Sequence, residues 1–176
     1  MGSSIPIKNI QEINCIKDLY RQKNQISELL MFTLAINTGI DLISLLNLRV
    51  KDIKNKKYLC IEKNKSIPLN EEILKLIAEV IKDKKNNEYL FSNANGNKRH
   101  RTTVFYSFKN IIAELGLRNK YSVASWRKTF AYHYYHKYKD LSYLQWLFNQ
   151  TNINMALKFI DEDENMNLRY RDGISL

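Results

Sequence analysis

Cysteine, proline and glycine are all scarce in this chain of 176 residues, which holds 2, 2 and 5 of them. The cysteines, Cys15 and Cys60, offer neither the spacing of a metal site nor a disulfide framework. They read as small core or semi-buried residues in a reducing cytoplasm. With so little proline and glycine there is no flexible interdomain linker, and the length suits one domain with a substantial core. Long hydrophobic runs are missing too. The longest, Leu29 to Ile36, is broken by Thr33 and falls far short of the ~20 apolar residues of a membrane span. No signal peptide heads the chain, so a cytoplasmic protein is expected. No motif asks for a metal or another cofactor. Acid to balance base is also lacking: Lys and Arg number 28 against 18 Asp and Glu, a net charge of +10. That excess favours a polyanionic partner, nucleic acid ahead of an anionic membrane surface.

What is present is mostly helical patterning. From Ile5 to about Tyr20, Ile10, Ile13, Ile16 and Leu19 recur three apart, as on an amphipathic helix. Ser27–Asn37 reads as a second helix stopped by Gly39, and Asp41–Leu48 as a short third. Arg49–Ile53, Lys57–Glu62 and Ser66–Leu69 are strand candidates between Lys- and Asn-rich turns, which predicts a three-stranded antiparallel sheet. Asn70 is a good N-cap for a helix to about Lys82, with Glu71 and Glu72 in its first turn. An extended Glu88–Phe91 and a basic loop Ser92–Arg101 lead into helices over Thr102–Leu115, Val123–Tyr138, Asp140–Asn149 and Asn152–Glu164. The fold class is mainly α with a small three-stranded antiparallel β-sheet. Residues 1–4 read as an expression leader, 5–164 as one domain and 165–176 as a C-terminal tail.

Several segments stand in a telling order. Ile36-Asn37-Thr38-Gly39 is followed by Leu45 to Ile53, then Ile67-Pro68-Leu69-Asn70-Glu71-Glu72 and Tyr89-Leu90-Phe91-Ser92. Arg127-Lys128-Thr129-Phe130 then runs through Leu147-Phe148-Asn149-Gln150 to Lys158-Phe159-Ile160. Together they resemble the catalytic domain of the tyrosine recombinase (phage integrase) family, and the resemblance implies that family's DNA breaking-rejoining fold. It also implies a chemistry, phosphoryl transfer through a covalent 3′-phosphotyrosine. There Tyr attacks, two Arg and a His stabilise charge, and a hairpin Lys protonates the leaving oxygen. Carried over by position, the first Arg falls on Asp41, the first His on Ala124 and the second Arg on Arg127. The second His falls on Gln150 and the nucleophile on Phe159, while Lys63 or Lys65 approximates the acid on a shortened hairpin. Only Arg127 clearly survives.

A phenyl ring has no oxygen with which to attack phosphorus. A carboxylate at Asp41 reverses the sign of an interaction worth roughly 4 kcal/mol at an effective dielectric of 20. The expectation is therefore a non-enzyme. Leu168-Arg169-Tyr170 echoes a nucleophile motif but lies beyond the acidic run Asp161–Glu164, and Tyr170 reads as a tail residue. Asp41 either pairs with Arg127 or simply caps the helix after Gly39.

Binding needs less than catalysis: cations along the phosphates and side chains that reach base edges. The strongest candidates are Lys98, Arg99, His100 and Arg101, a basic cluster entering a helix N-terminus. Arg127, Lys128, Lys63 and Lys65 join them, with Lys54, Lys56 and Lys57 around the hairpin and Tyr106 and Lys109 one turn apart further on. The expected function is sequence-specific binding of double-stranded DNA without cleavage, as a repressor-type regulator in a phage or mobile element. The alternatives are an accessory or divergent recombinase, or a protein-interaction module. Ile174 and Leu176 in the tail are candidate homo-oligomer contacts.

Overall fold

The computed structural model describes residues 4–62, 65–117 and 121–160, except the side chain of Lys158. Residues 4–9 run extended into helix α1 (Ile10–Gln22), which Asn9 caps by accepting from Gln11 N at 2.8 Å. The helix expected from Ile5 thus starts later. Ile7 is fully buried, and its N–H donates to Thr129 Oγ1 at 2.9 Å instead of entering a helical ladder. The buried stripe of α1 is Ile13, Ile16 and Tyr20, whereas Ile10 is 55% exposed. Cys15 points away from that stripe, and both it and Cys60 are exposed, contrary to the semi-buried expectation.

Helix α2 (Ile26–Thr38) has every residue from Leu29 to Ala35 buried and packs against helices on several sides, those following it in the chain as well as α1. A helix apolar all round is a central one. Gly39 ends it at φ 68°, where an added Cβ would sit 2.6 Å from Phe130 Cδ1. Only glycine meets both demands.

Helix α3 (Leu42–Asn47) leads to α4 (Val50–Ile53), a single turn where a strand was expected. The reason is local. Arg49 N donates to Asp52 Oδ2 at 2.8 Å, closing a helical turn, while Val50 N and Lys51 N bond Glu88 O and Asn86 O. Only Arg49 keeps a β-bridge, to Tyr89. The sheet is the antiparallel pair β1 (Tyr58–Glu62) and β2 (Lys65–Pro68), in register Leu59↔Ile67 with an irregularity between Cys60 and Glu62.

Asn70 caps α5 (Glu71–Val80) through Ile73 N at 2.9 Å, as its sequence predicts. The rest is α6 (Arg101–Glu114), α7 (Val123–Tyr138), α8 (Leu141–Leu147) and α9 (Ile153–Phe159). The tail with Tyr170, Ile174 and Leu176 lies outside the described residues. One core gathers Tyr20, Phe32, Phe91, Phe108 and Trp126 around α2. A second joins Phe130, Leu144, Leu147 and Leu157 of α7 to α9 with Ile67 of β2. Among the described residues no helix is long and apolar enough to cross a membrane.

Candidate nucleic-acid interface

Helix α7 sets the site. Its N-cap Ser122 and Ser125 exchange bonds in a capping box, and Ser125, Trp126 and Thr129 face the core. That phase leaves Ala124, Arg127 and Lys128 on the rim of a cleft of ≈ 400 Å³. Across it stand Asp41 and Ile43 from the start of α3, Arg101 from the start of α6 and Phe159 from α9. Asp41, Ala124, Arg127 and Phe159, far apart in sequence, are therefore neighbours.

Arg127 is half-buried, its guanidinium 4.3 Å from the centre of the Phe148 ring, and its Nε has no hydrogen-bond partner. Burial lowers its pKa, opposed by the charges of Asp41 and Glu62. Asp41 is the helix cap rather than a salt-bridge partner. Its Oδ1 accepts from Ser44 N at 2.9 Å and its Oδ2 from Ser44 Oγ at 2.7 Å. Burial pushes its carboxyl pKa up, but those bonds and the Arg127 charge outweigh that and hold it below the ordinary value. Of the two readings, the cap is realised, with Arg127 as a more distant electrostatic neighbour.

The hairpin carries a second constellation. Lys65 is only 6% exposed, and its Nζ donates to Asn149 Oδ1 and, at 3.5 Å, to Leu147 O. It also pairs with Glu62 Oε2 at 3.2 Å and lies 5.2 Å from the Trp146 ring. Asn149 Nδ2 in turn donates to Glu62 Oε1 at 2.9 Å. Hydrogen bonds from Lys65 and Asn149 draw the Glu62 pKa down. The Lys65 ammonium is thus turned into the fold, while Lys63 lies outside the described residues. Gln150 follows directly, its Oε1 buried without a partner. Phe159 packs against Phe148, ring centres 4.9 Å apart and planes tilted by 51°, and the Lys128 ammonium lies 5.9 Å from its ring.

The basic loop divides in two. Arg99 is committed to Glu28 by a partly buried ion pair at 2.5 Å. Lys98 Nζ reaches Asn47 Oδ1 at 2.9 Å but stays exposed. His100 caps α6, its Nδ1 accepting from Thr102 N at 3.3 Å, and Arg101 is exposed on the cleft rim. Lys128 Nζ donates to Ser4 O at 2.6 Å. Lys54, Lys56 and Lys57 are exposed beside the hairpin. Sequence reasoning missed Glu62, Phe148 and Asn149. Asn149 left one signal, an asparagine just past a helix end, where it adopts φ 54°.

Residues 5–166 match the phage integrase family. The chain is similar to the probable integrase/recombinase YoeC of Bacillus subtilis (strain 168), 30% identical over 165 residues that cover 90% of each protein. Its fold resembles the XerA recombinase, with a TM-score of 0.78 at 13% identity over 99% of this chain and 66% of that one. The Tn1549 transposon integrase in complex with circular intermediate DNA gives a TM-score of 0.77 at 18% identity, over 97% of this chain and 65% of that one. The XerH recombinase bound to its difH substrate gives 0.72 at 21% identity, over 98% and 54%. This chain therefore spans two thirds or less of those solved recombinases. With its length matched almost end to end, and its cleft built from the positions the resemblance pointed to, the chain belongs to the phage integrase family.

Proposed function

We propose that this protein binds double-stranded DNA in a sequence-specific way and does not cleave it, serving as a repressor-type regulator of a phage or mobile element. One observation carries the reading. At the position the family pattern gives its nucleophile stands Phe159, packed on Phe148 and lining the cleft with Arg127. Asp41 and Ala124, in the same cleft, put a negative charge and a methyl group where that pattern has a cation and an imidazole. The fold supports binding: the rim keeps Arg101 and Lys128 with Arg127, and Lys98 lines an adjoining pocket that shares Ile43 and Arg101 with the cleft. Losing one preorganised charge stabiliser slows such a reaction by about 10²–10³, and losing the nucleophile removes the covalent route.

A second reading, an accessory or divergent recombinase, draws on the relative named a probable integrase/recombinase and on the Lys retained in the hairpin. Nicked suicide substrates separate the two. Incubation yields no covalent protein–DNA adduct in denaturing gels, while gel shifts show binding that weakens steeply with salt. A Tyr-dependent adduct establishes the second reading. Absence of any binding at low salt leaves a protein-interaction module.

A further inference from the structure

Helix α6 exposes two large aromatic rings to solvent: Phe105 at 41% and Tyr106 at 58%, in edge contact at 5.5 Å. Its opposite face, Val104, Phe108, Ile111 and Ile112, is buried, so the rings are not spill-over from the core. From Lys98 to Ala113 the chain carries no acid, and Glu114 beyond is paired with Lys23 at 2.8 Å. The rings therefore share their helix with cations and, up to Ala113, no acid; the nearest carboxylate from another element is Glu12, held by the Tyr121 hydroxyl at 2.6 Å.

Arg101, Phe105 and Lys109 follow at four-residue steps, all exposed. Each step advances about 6 Å and drifts about 40° around the helix, so the three form one stripe with the ring midway. Its cations lie about 12 Å apart along the axis, far enough to meet separate phosphates with the ring between them. Arg101 also lines the cleft with Arg127 and Lys128, which makes the stripe continuous with the candidate interface.

From this stripe we infer that Phe105 reads thymine in the major groove, with Arg101 and Lys109 held by flanking phosphates. The inference rests on the DNA-binding reading and narrows its target. Among the groups by which major-groove base edges are told apart, the thymine C5-methyl is the apolar one and the rest donate or accept hydrogen bonds. A phenyl ring donates and accepts nothing there, so burying it against polar edges strands them, whereas a methyl group completes the contact. Tyr106, alongside, adds apolar surface and a hydroxyl at its tip.

The experiment starts with the full chain selecting duplexes from a random pool. Failure to enrich any sequence removes sequence-specific DNA binding, and this inference with it. In the enriched site, each thymine is then replaced in turn by deoxyuridine, which deletes only the methyl. Wild type loses about fourfold in affinity at one or two positions, the worth of one methyl withdrawn from water. Phe105→Ala, whose exposed position leaves the melting temperature unchanged, binds more weakly and no longer distinguishes thymine from deoxyuridine there. Phe105→Leu keeps the distinction. Wild type indifferent to every deoxyuridine, or an undiminished distinction in Phe105→Ala, overturns the assignment while leaving DNA binding intact, and gives the stripe to a protein partner.

Discussion

Arg127 has a carboxylate on either side and an aromatic ring against it, and each neighbour makes a separable contribution. Asp41→Asn keeps a side-chain cap for α3 but removes the negative charge facing the cleft. Its expected outcome is tighter DNA binding at low salt with little change in melting temperature. Asp41→Ala removes cap and charge together and costs about 1 kcal/mol in urea unfolding. The pH sign follows from the depressed pKa of this carboxyl. Its contribution is complete above its unfolded value and is lost as pH falls through the lower folded value. The charge-dependent part of the stability gap between wild type and Asp41→Ala therefore stays constant near neutrality and is lost only in acid, below the ordinary 3.8. Phe159→Tyr tests the other wall. Restoring the hydroxyl alone yields no covalent adduct, because Asp41 and Ala124 still face it.

Among the elements, the β1–β2 hairpin is tied to the end of α8 by a buried cation. Lys65 binds the end of α8 through Asn149 and Leu147 O, so Lys65→Met loses about 2 kcal/mol of stability. Hydrogen exchange in Lys65–Pro68 rises in the same variant, while α2 exchange is unaffected. None of this fastening was legible beforehand, because Lys65 and Asn149 are 84 positions apart and no local rule joins them. Where a rule is local, the reading was close. Val123–Tyr138 matches α7 end to end, and Gly39 stops α2 as expected. The miss at Arg49–Ile53 is equally physical. Val50 and Ile53 suit a buried strand or a buried turn alike, and the choice fell to Asp52, whose carboxylate takes the Arg49 N–H. The cleft itself was legible only through the family pattern, which names positions but not what Phe148 and Glu62 do between them.

At the scale of the whole molecule, charge is the main variable. The net +10 is spread over many lysines, but the structure withdraws several cations from service. Arg99 is paired with Glu28 and Lys65 with Glu62. Binding then depends on the exposed rim, and Arg101→Ala is expected to flatten the plot of log affinity against log salt by about 0.9. Arg99→Ala instead lowers the melting temperature and leaves that slope nearly unchanged. The N-terminal segment adds a further consequence. Ser4 O receives the Lys128 ammonium at 2.6 Å, and Ile7 is bonded to Thr129 and His133 of the same helix. Ser4 is thus held at the edge of the cleft, beside Lys128. An N-terminal fusion, whether an affinity tag or a fluorescent label, shares that edge with incoming DNA, and attachment there is itself a competitor in any measurement of binding.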